Sequence, residues 1–112
     1  MKRFLFIFSI ITVVVLASCK KEDMLSLDDD EFIFEYTAET ETTTVISNVR
    51  WTAVATVDWI TLNPTGAKIT APLRVSVTEN TGDSERYGEI IVTQIGGEQL
   101  SDTLKVIQKK AP

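Results

Sequence analysis

Both tryptophans of the chain fall in one stretch, Trp51–Leu62, eight residues apart on a background of Thr, Val and Ala. An indole can stack on the apolar C–H face of a sugar, with Asp, Asn, Gln or Arg nearby to reach its hydroxyls. Trp59, Asn80 and Arg86 are the candidate ligand contacts of that kind. The competing use of the rings is structural, because each buried aromatic removes about 150–250 Å² from water. Trp51 shares its parity with Val49, Ala53 and Ala55, an inward-looking set, and is expected in the core. Trp59, beside Ile60 and Leu62, is expected there too, but is the ring left to meet a ligand. Asn80 and Arg86 are expected to bracket a loop and hydrogen-bond its backbone, ligand contact being their alternative role.

Other chemistry has little to stand on. The chain has no His and one Cys, so neither Ser-His-Asp nor Cys-His arrangements nor the common zinc sets can form. No Gly-rich loop with a phosphate-binding Lys follows a strand. Asp58, Glu79, Asp83, Glu85 and Glu89 are acids near strand ends. A glycosidase needs two acids about 5–10 Å apart across a sugar cleft, and a domain this small has little room for one. Asp28-Asp29-Asp30-Glu31 lacks the alternating spacing and the Gly of a folded calcium loop. The expectation is a protein without catalytic residues, cofactor or metal.

The N-terminus states where the protein lives. Lys2 and Arg3 precede an uncharged stretch from Phe4 to Ala17, shorter than the roughly 20 residues that span a bilayer but matched to the h-region of a secretory signal. It ends Leu16-Ala17-Ser18-Cys19, which resembles the lipobox of bacterial lipoproteins. In that family the peptide is cut before the Cys, which carries acyl chains on its sulfur and its new amine. A lone Cys in a secreted chain cannot form an internal disulfide, and acylation of Cys19 accounts for it. Acyl chains contributing about 0.8 kcal/mol per buried CH₂ hold a protein to a membrane without a transmembrane helix. Lys21-Glu22-Asp23 resembles the signal that sends lipoproteins of Bacteroidetes to the outer face of the outer membrane. The resemblance implies an outer-membrane protein, lipid-anchored and facing the exterior. Loss of the leader takes the net charge from −5 to about −7, a poor match to nucleic acid, which is not an expected partner.

The remaining residues divide into a tether and a domain: residues 1–18 form the leader, 19–31 an acylated Cys and an acidic linker, and 32–112 a β-domain. From Phe32 on, apolar residues recur with period two between turn signals, which predicts an antiparallel all-β domain. Phe32, Phe34 and Tyr36 make a first strand, Thr37–Glu41 a turn and Thr42–Ser47 a second strand. Val49, Trp51, Ala53 and Ala55 share one face of a third. Trp59–Leu62 is a fourth, closed by the turn Asn63-Pro64-Thr65-Gly66. Leu73, Val75 and Val77 line a fifth, and Gly88, Ile90 and Val92 one face of a sixth. Gly96-Gly97 turns the chain into a seventh, where Leu104, Val106 and Gln108 share a face. About seven strands in this length predict an immunoglobulin-like sandwich of two antiparallel sheets.

The same pieces, in order, are Asn48-Val49-Arg50-Trp51, Asp58-Trp59-Ile60-Thr61-Leu62, Pro64-Thr65-Gly66, Val75–Asn80, Arg86–Val92 and Val106-Ile107-Gln108. Together they resemble the BACON domain, Bacteroidetes-associated carbohydrate-binding often N-terminal. The resemblance covers about Phe32 to Gln108. It implies an immunoglobulin-like fold, and glycan or mucin binding as the function. A spacer, or an assembly subunit that binds another surface protein through an open sheet edge, is the other function it allows. With no further domain after Gln108, a binding or assembly role is expected over a spacer.

Overall fold

Thr, Val and Ile dominate the folded part because their branched side chains fit a pleated surface better than a helix. A computed structural model describes residues 22–112, which form nine strands and no helix. These are β1 (Leu25–Leu27), β2 (Glu31–Phe34), β3 (Glu39–Ser47), β4 (Trp51–Ala55), β5 (Ile60–Asn63), β6 (Gly66–Ala67), β7 (Ala71–Val77), β8 (Arg86–Gln94) and β9 (Ser101–Gln108). One sheet has the order β1-β3-β7-β5 and the other β2-β9-β8-β4-β6. All neighbours are antiparallel except β2 and β9, which run parallel with Phe32 beside Val106.

The two inner faces follow the alternation read from the sequence. Leu73, Val75 and Val77 of β7 face Ile90 and Val92 of β8 and Leu104 and Val106 of β9 across the core, joined by Phe34, Val45, Ala53 and Ile60. Fully burying each of the larger side chains stabilises by about 1.5–3 kcal/mol. Trp51 is the largest of them, 1% exposed, and its indole Nε1 donates to the Ile69 carbonyl at 2.9 Å. A buried indole needs such a partner. Phe32 and Phe34 meet edge to face, centroids 5.9 Å apart.

The fold differs from the sequence reading in four places. Met24 to Glu31 was expected as linker, yet Leu25–Leu27 pairs with Val45–Ser47 of β3 and both leucines pack on the core. Two apolar residues beside four acids leave too little period to read, and tertiary contact decides the segment. The residues expected as a turn, Thr37–Glu41, contain the start of β3, because Glu39 and Glu41 pair with Val77 and Val75. There the backbone ladder outweighs a low β propensity. β6, two residues long, was not foreseen at all. The parallel β2–β9 pair departs from a wholly antiparallel sandwich.

Two ends of the sandwich matter below. Ser47, Trp51, Gln94 and Ser101 lie at the lower end, where the described chain begins. Val77, Ile60, Arg86 and Gln108 lie at the upper end. Gly96 and Gly97, with φ of 78° and 61°, make the lower turn between β8 and β9, a conformation glycine adopts without steric cost.

Candidate functional site

The upper end is closed by side chains that the sequence marked. After β4 the chain crosses to the other sheet through Val57, Asp58 and Trp59, and it can do so because residue 88 is glycine. A Cβ there would lie 2.7 Å from Val57 Cγ2, 3.0 Å from Ile60 Cδ1 and 3.4 Å from Trp59 Cζ2. Trp59 is thus half-buried over β8. The Arg86 guanidinium lies on its ring, Cζ 4.3 Å from the centroid, a cation–π contact.

Arg86 is held by more than that ring. Its Nε donates to Gln108 Oε1 at 2.8 Å, and Nη2 donates to the carbonyls of Thr78 and Glu79 at 3.0 and 3.2 Å. Gln108 has no exposed surface. Its Nε2 donates to the carbonyls of Thr78, Tyr36 and Thr37 at 2.8, 3.3 and 3.2 Å. Asn80, also buried, donates from Nδ2 to the carbonyls of Ser84 and Lys109 at 3.0 and 3.1 Å and accepts from the Gly82 N–H at 3.1 Å. These bonds join the two sheets, the β2–β3 and β7–β8 loops and the segment after β9. The structure therefore brings Trp59 and Arg86 into contact and places Asn80 in the loop whose carbonyls Arg86 binds, with the hydrogen-bonding groups of Arg86 and Asn80 directed into the protein.

Gln108 was singled out only as a strand residue. The signal was present: a Gln in phase with Leu104 and Val106 is a polar group on a buried face, and such a group requires partners.

The outer face of the five-stranded sheet carries a second constellation, centred on a ring that the sequence did not mark as a ligand contact. Tyr87 is 63% exposed and stands in register with Ile107, which is in turn beside the exposed Ile33 of β2. The next row is charged, Glu31 beside Lys105 beside Glu89. Directly paired residues on a sheet face have Cβ atoms about 4.5–5.5 Å apart. The Tyr87 hydroxyl donates to Glu85 Oε1 at 2.7 Å. That hydrogen bond, with the nearby negative charge and slight desolvation, holds the phenol above its ordinary value. An amphipathic ring is thus flanked by carboxylates and an ammonium that can meet hydroxyls.

Of the N-terminal residues singled out, Cys19 and Lys21 lie outside the described residues. Glu22 and Asp23 lie within them and are bound to the sandwich. The Glu22 carbonyl accepts from Asn48 Nδ2 at 2.8 Å, and Asp23 Oδ2 accepts from Gln94 Nε2 at 2.9 Å. Among the described residues no three acids gather as a metal ligand set.

Comparison with known proteins places this geometry. Residues 37–109 match the family model BACON, described as "Putative binding domain, N-terminal". No curated protein matches by sequence. Among solved structures the chain is similar to a Bacteroides ovatus GH5 xyloglucanase in complex with a XXXG heptasaccharide, at TM-score 0.70 and 13% identity. The match covers 80% of this chain and 19% of the enzyme, so the chain spans about a fifth of that protein. A C. elegans member of the MSP family is similar at TM-score 0.53 and 14% identity, over 80% of this chain and 100% of that one. At these identities the two structures speak for the fold.

Proposed function

The chain belongs to the BACON family, and from that premise we propose that it is a non-enzymatic lipoprotein of the outer membrane that binds a glycan on the outer face of its five-stranded sheet. The observation that carries the reading is Tyr87, a large ring left in solvent with its hydroxyl fixed by Glu85 and with Glu89 and Lys105 in the adjoining row. A rigid ring of this kind offers contact area at low conformational cost. An exposed apolar patch rimmed by polar groups marks an interaction surface. The sugar-processing enzyme to which the chain is similar, named for xyloglucan, supports a glycan as the ligand. Trp59, Asn80 and Arg86 have the part of holding the upper end closed beside that face.

The leader, Cys19 and Lys21-Glu22-Asp23 support an acyl anchor and display on the exterior. Cys19→Ala is expected to leave the membrane fraction, and its persistence there would remove the anchor. For the ligand, a mucin and plant glycan array is expected to bind the wild-type domain and not Tyr87→Ala at unchanged fold. An array that binds neither, or both alike, overturns the sugar reading.

A second reading, assembly with another surface protein, also has an observation in its favour. β6 pairs only with Trp51 and Thr52, so the Val54–Ala55 end of β4 has no strand beside it on that edge among the described residues, and Val54 is exposed. Such an edge can template another strand. Pull-down from solubilised outer membrane recovers a partner if this is the function.

A further inference from the structure

Large apolar side chains left exposed among the described residues fall into two groups. Ile33, Val54 and Tyr87 lie on the outer sheet face. Met24, Ile69 and Ile95, exposed by 49%, 63% and 54%, lie at the lower end. Backbone contacts gather this second group. Met24 exchanges hydrogen bonds with Asn48, the Ile95 N–H donates to the Arg50 carbonyl at 2.9 Å, and the Ile69 carbonyl accepts from Trp51. Arg50, Lys68 and Ile95 border an open hollow of about 380 Å³ there.

The chain leaves the sandwich at this same end, and it leaves under constraint. Glu22 and Asp23 are already bonded to Asn48 and Gln94. Only Lys20 and Lys21 separate Glu22 from Cys19. At about 3.8 Å per residue, the Cα of Cys19 lies no more than about 11 Å from that of Glu22. An acyl anchor on Cys19 therefore has no long tether to pay out, and it draws the lower end onto the lipid.

We propose that the lower end is a membrane-contact surface for the phospholipid bilayer in which Cys19 is anchored. This rests on the acylation of Cys19 proposed above. Met24, Ile69 and Ile95 enter the headgroup boundary, which accepts apolar faces to about 5–10 Å, and Arg50 and Lys68 meet lipid phosphates. The charges of this end are mixed, since Glu22, Asp23 and Glu98 accompany Arg50 and Lys68, with Lys20 and Lys21 adjoining in sequence. The upper end is the more acidic, with Glu35, Asp58, Glu79, Asp83 and Glu85 around Arg86, Lys109 and Lys110. An anionic lipid surface repels that end and favours the proposed orientation. The domain stands upright on the membrane, and the Tyr87 face is held sideways to it at the upper end.

The test uses the full acylated chain in vesicles of phosphatidylethanolamine and phosphatidylglycerol. The chain has a single cysteine, and acylation blocks it, so Ile69→Cys, Ile95→Cys and the upper-end control Ser84→Cys each accept one fluorophore. Nitroxide-bearing lipid is expected to quench the labels at 69 and 95 several-fold more than the label at 84, and aqueous iodide to quench them several-fold less. Adding Ile95→Glu to Ile69→Cys is expected to at least halve the lipid quenching while the protein stays with the vesicles. Equal quenching of all three labels overturns the proposal. So does protection from iodide without lipid quenching, which would mean that a second copy of the chain covers this end. Metabolic labelling with palmitate separates the premises. A wild-type chain without acyl label loses both anchor and contact surface, whereas an acylated chain with an accessible lower end loses only the contact surface.

Discussion

At residue scale, the side chains that carry the family resemblance act as structure. Arg86, Asn80 and Gln108 join the sheets through hydrogen bonds to backbone carbonyls. Gln108→Leu keeps the volume but leaves Arg86 Nε and the carbonyls it served without that partner. Buried unpaired groups of this kind cost about 1–3 kcal/mol each, and the variant is expected to lose about 2–4 kcal/mol in urea unfolding. Thr43 makes the opposite case. Its hydroxyl is buried in β3 with no partner, so Thr43→Val, another β-branched residue, is expected to gain about 1 kcal/mol in the same measurement. Tyr87 makes a third. Its phenol is held up by Glu85 and is expected to titrate above about 10, the ordinary phenol value, with Glu85→Gln bringing it back down in an ultraviolet titration. The sign follows: the Glu85 contact favours the protonated phenol, so its contribution to stability is present below the unfolded value and is lost as pH rises through the folded one.

At the scale of elements, legibility depended on length. β7, β8 and β9 alternate over seven to nine residues, and their inward sets were readable down to the parity of Gln108. β1 was not, since Leu25 and Leu27 are only two residues of alternation ahead of an acidic run. Nor was the parallel course of β2 beside β9, because pairing direction leaves no mark on one strand's period. Trp51 was legible as core from its company with Ala53. Tyr87 was not legible as exposed: it shares its face with Ile91 and Ile107, apolar residues that imitate an inner face. The position of β1 has a consequence for the isolated domain. A fragment beginning at Asp28 lacks both leucines and the bond from the Leu27 N–H to Asp102 at 2.8 Å. It is expected to be about 2–4 kcal/mol less stable than a fragment of residues 22–112, by chemical denaturation of the two.

At the scale of the molecule, the surfaces that hold the fold together and the face proposed to meet a ligand are different ones. The core and the bonds of Arg86, Asn80 and Gln108 hold the sheets together, while Tyr87 and its charged neighbours stand on the outer face of the five-stranded sheet, Tyr87 63% exposed. Residues 22–112 hold all 16 acidic residues but only part of the 11 basic ones, which gives no general attraction to anionic polymers, so retention by a polysaccharide reports the sheet face rather than bulk charge. Trp59, the ring that first suggested a sugar platform, is covered by Arg86 on one face and by the close approach of β8 at Gly88. The decisive measurement is affinity electrophoresis of residues 22–112, wild type beside Tyr87→Ala, through gels containing mucin and plant polysaccharides. The expected result is retardation of the wild type by at least one of them and none for the variant, under conditions where both are folded. Equal mobility of the two proteins in every gel would contradict the account.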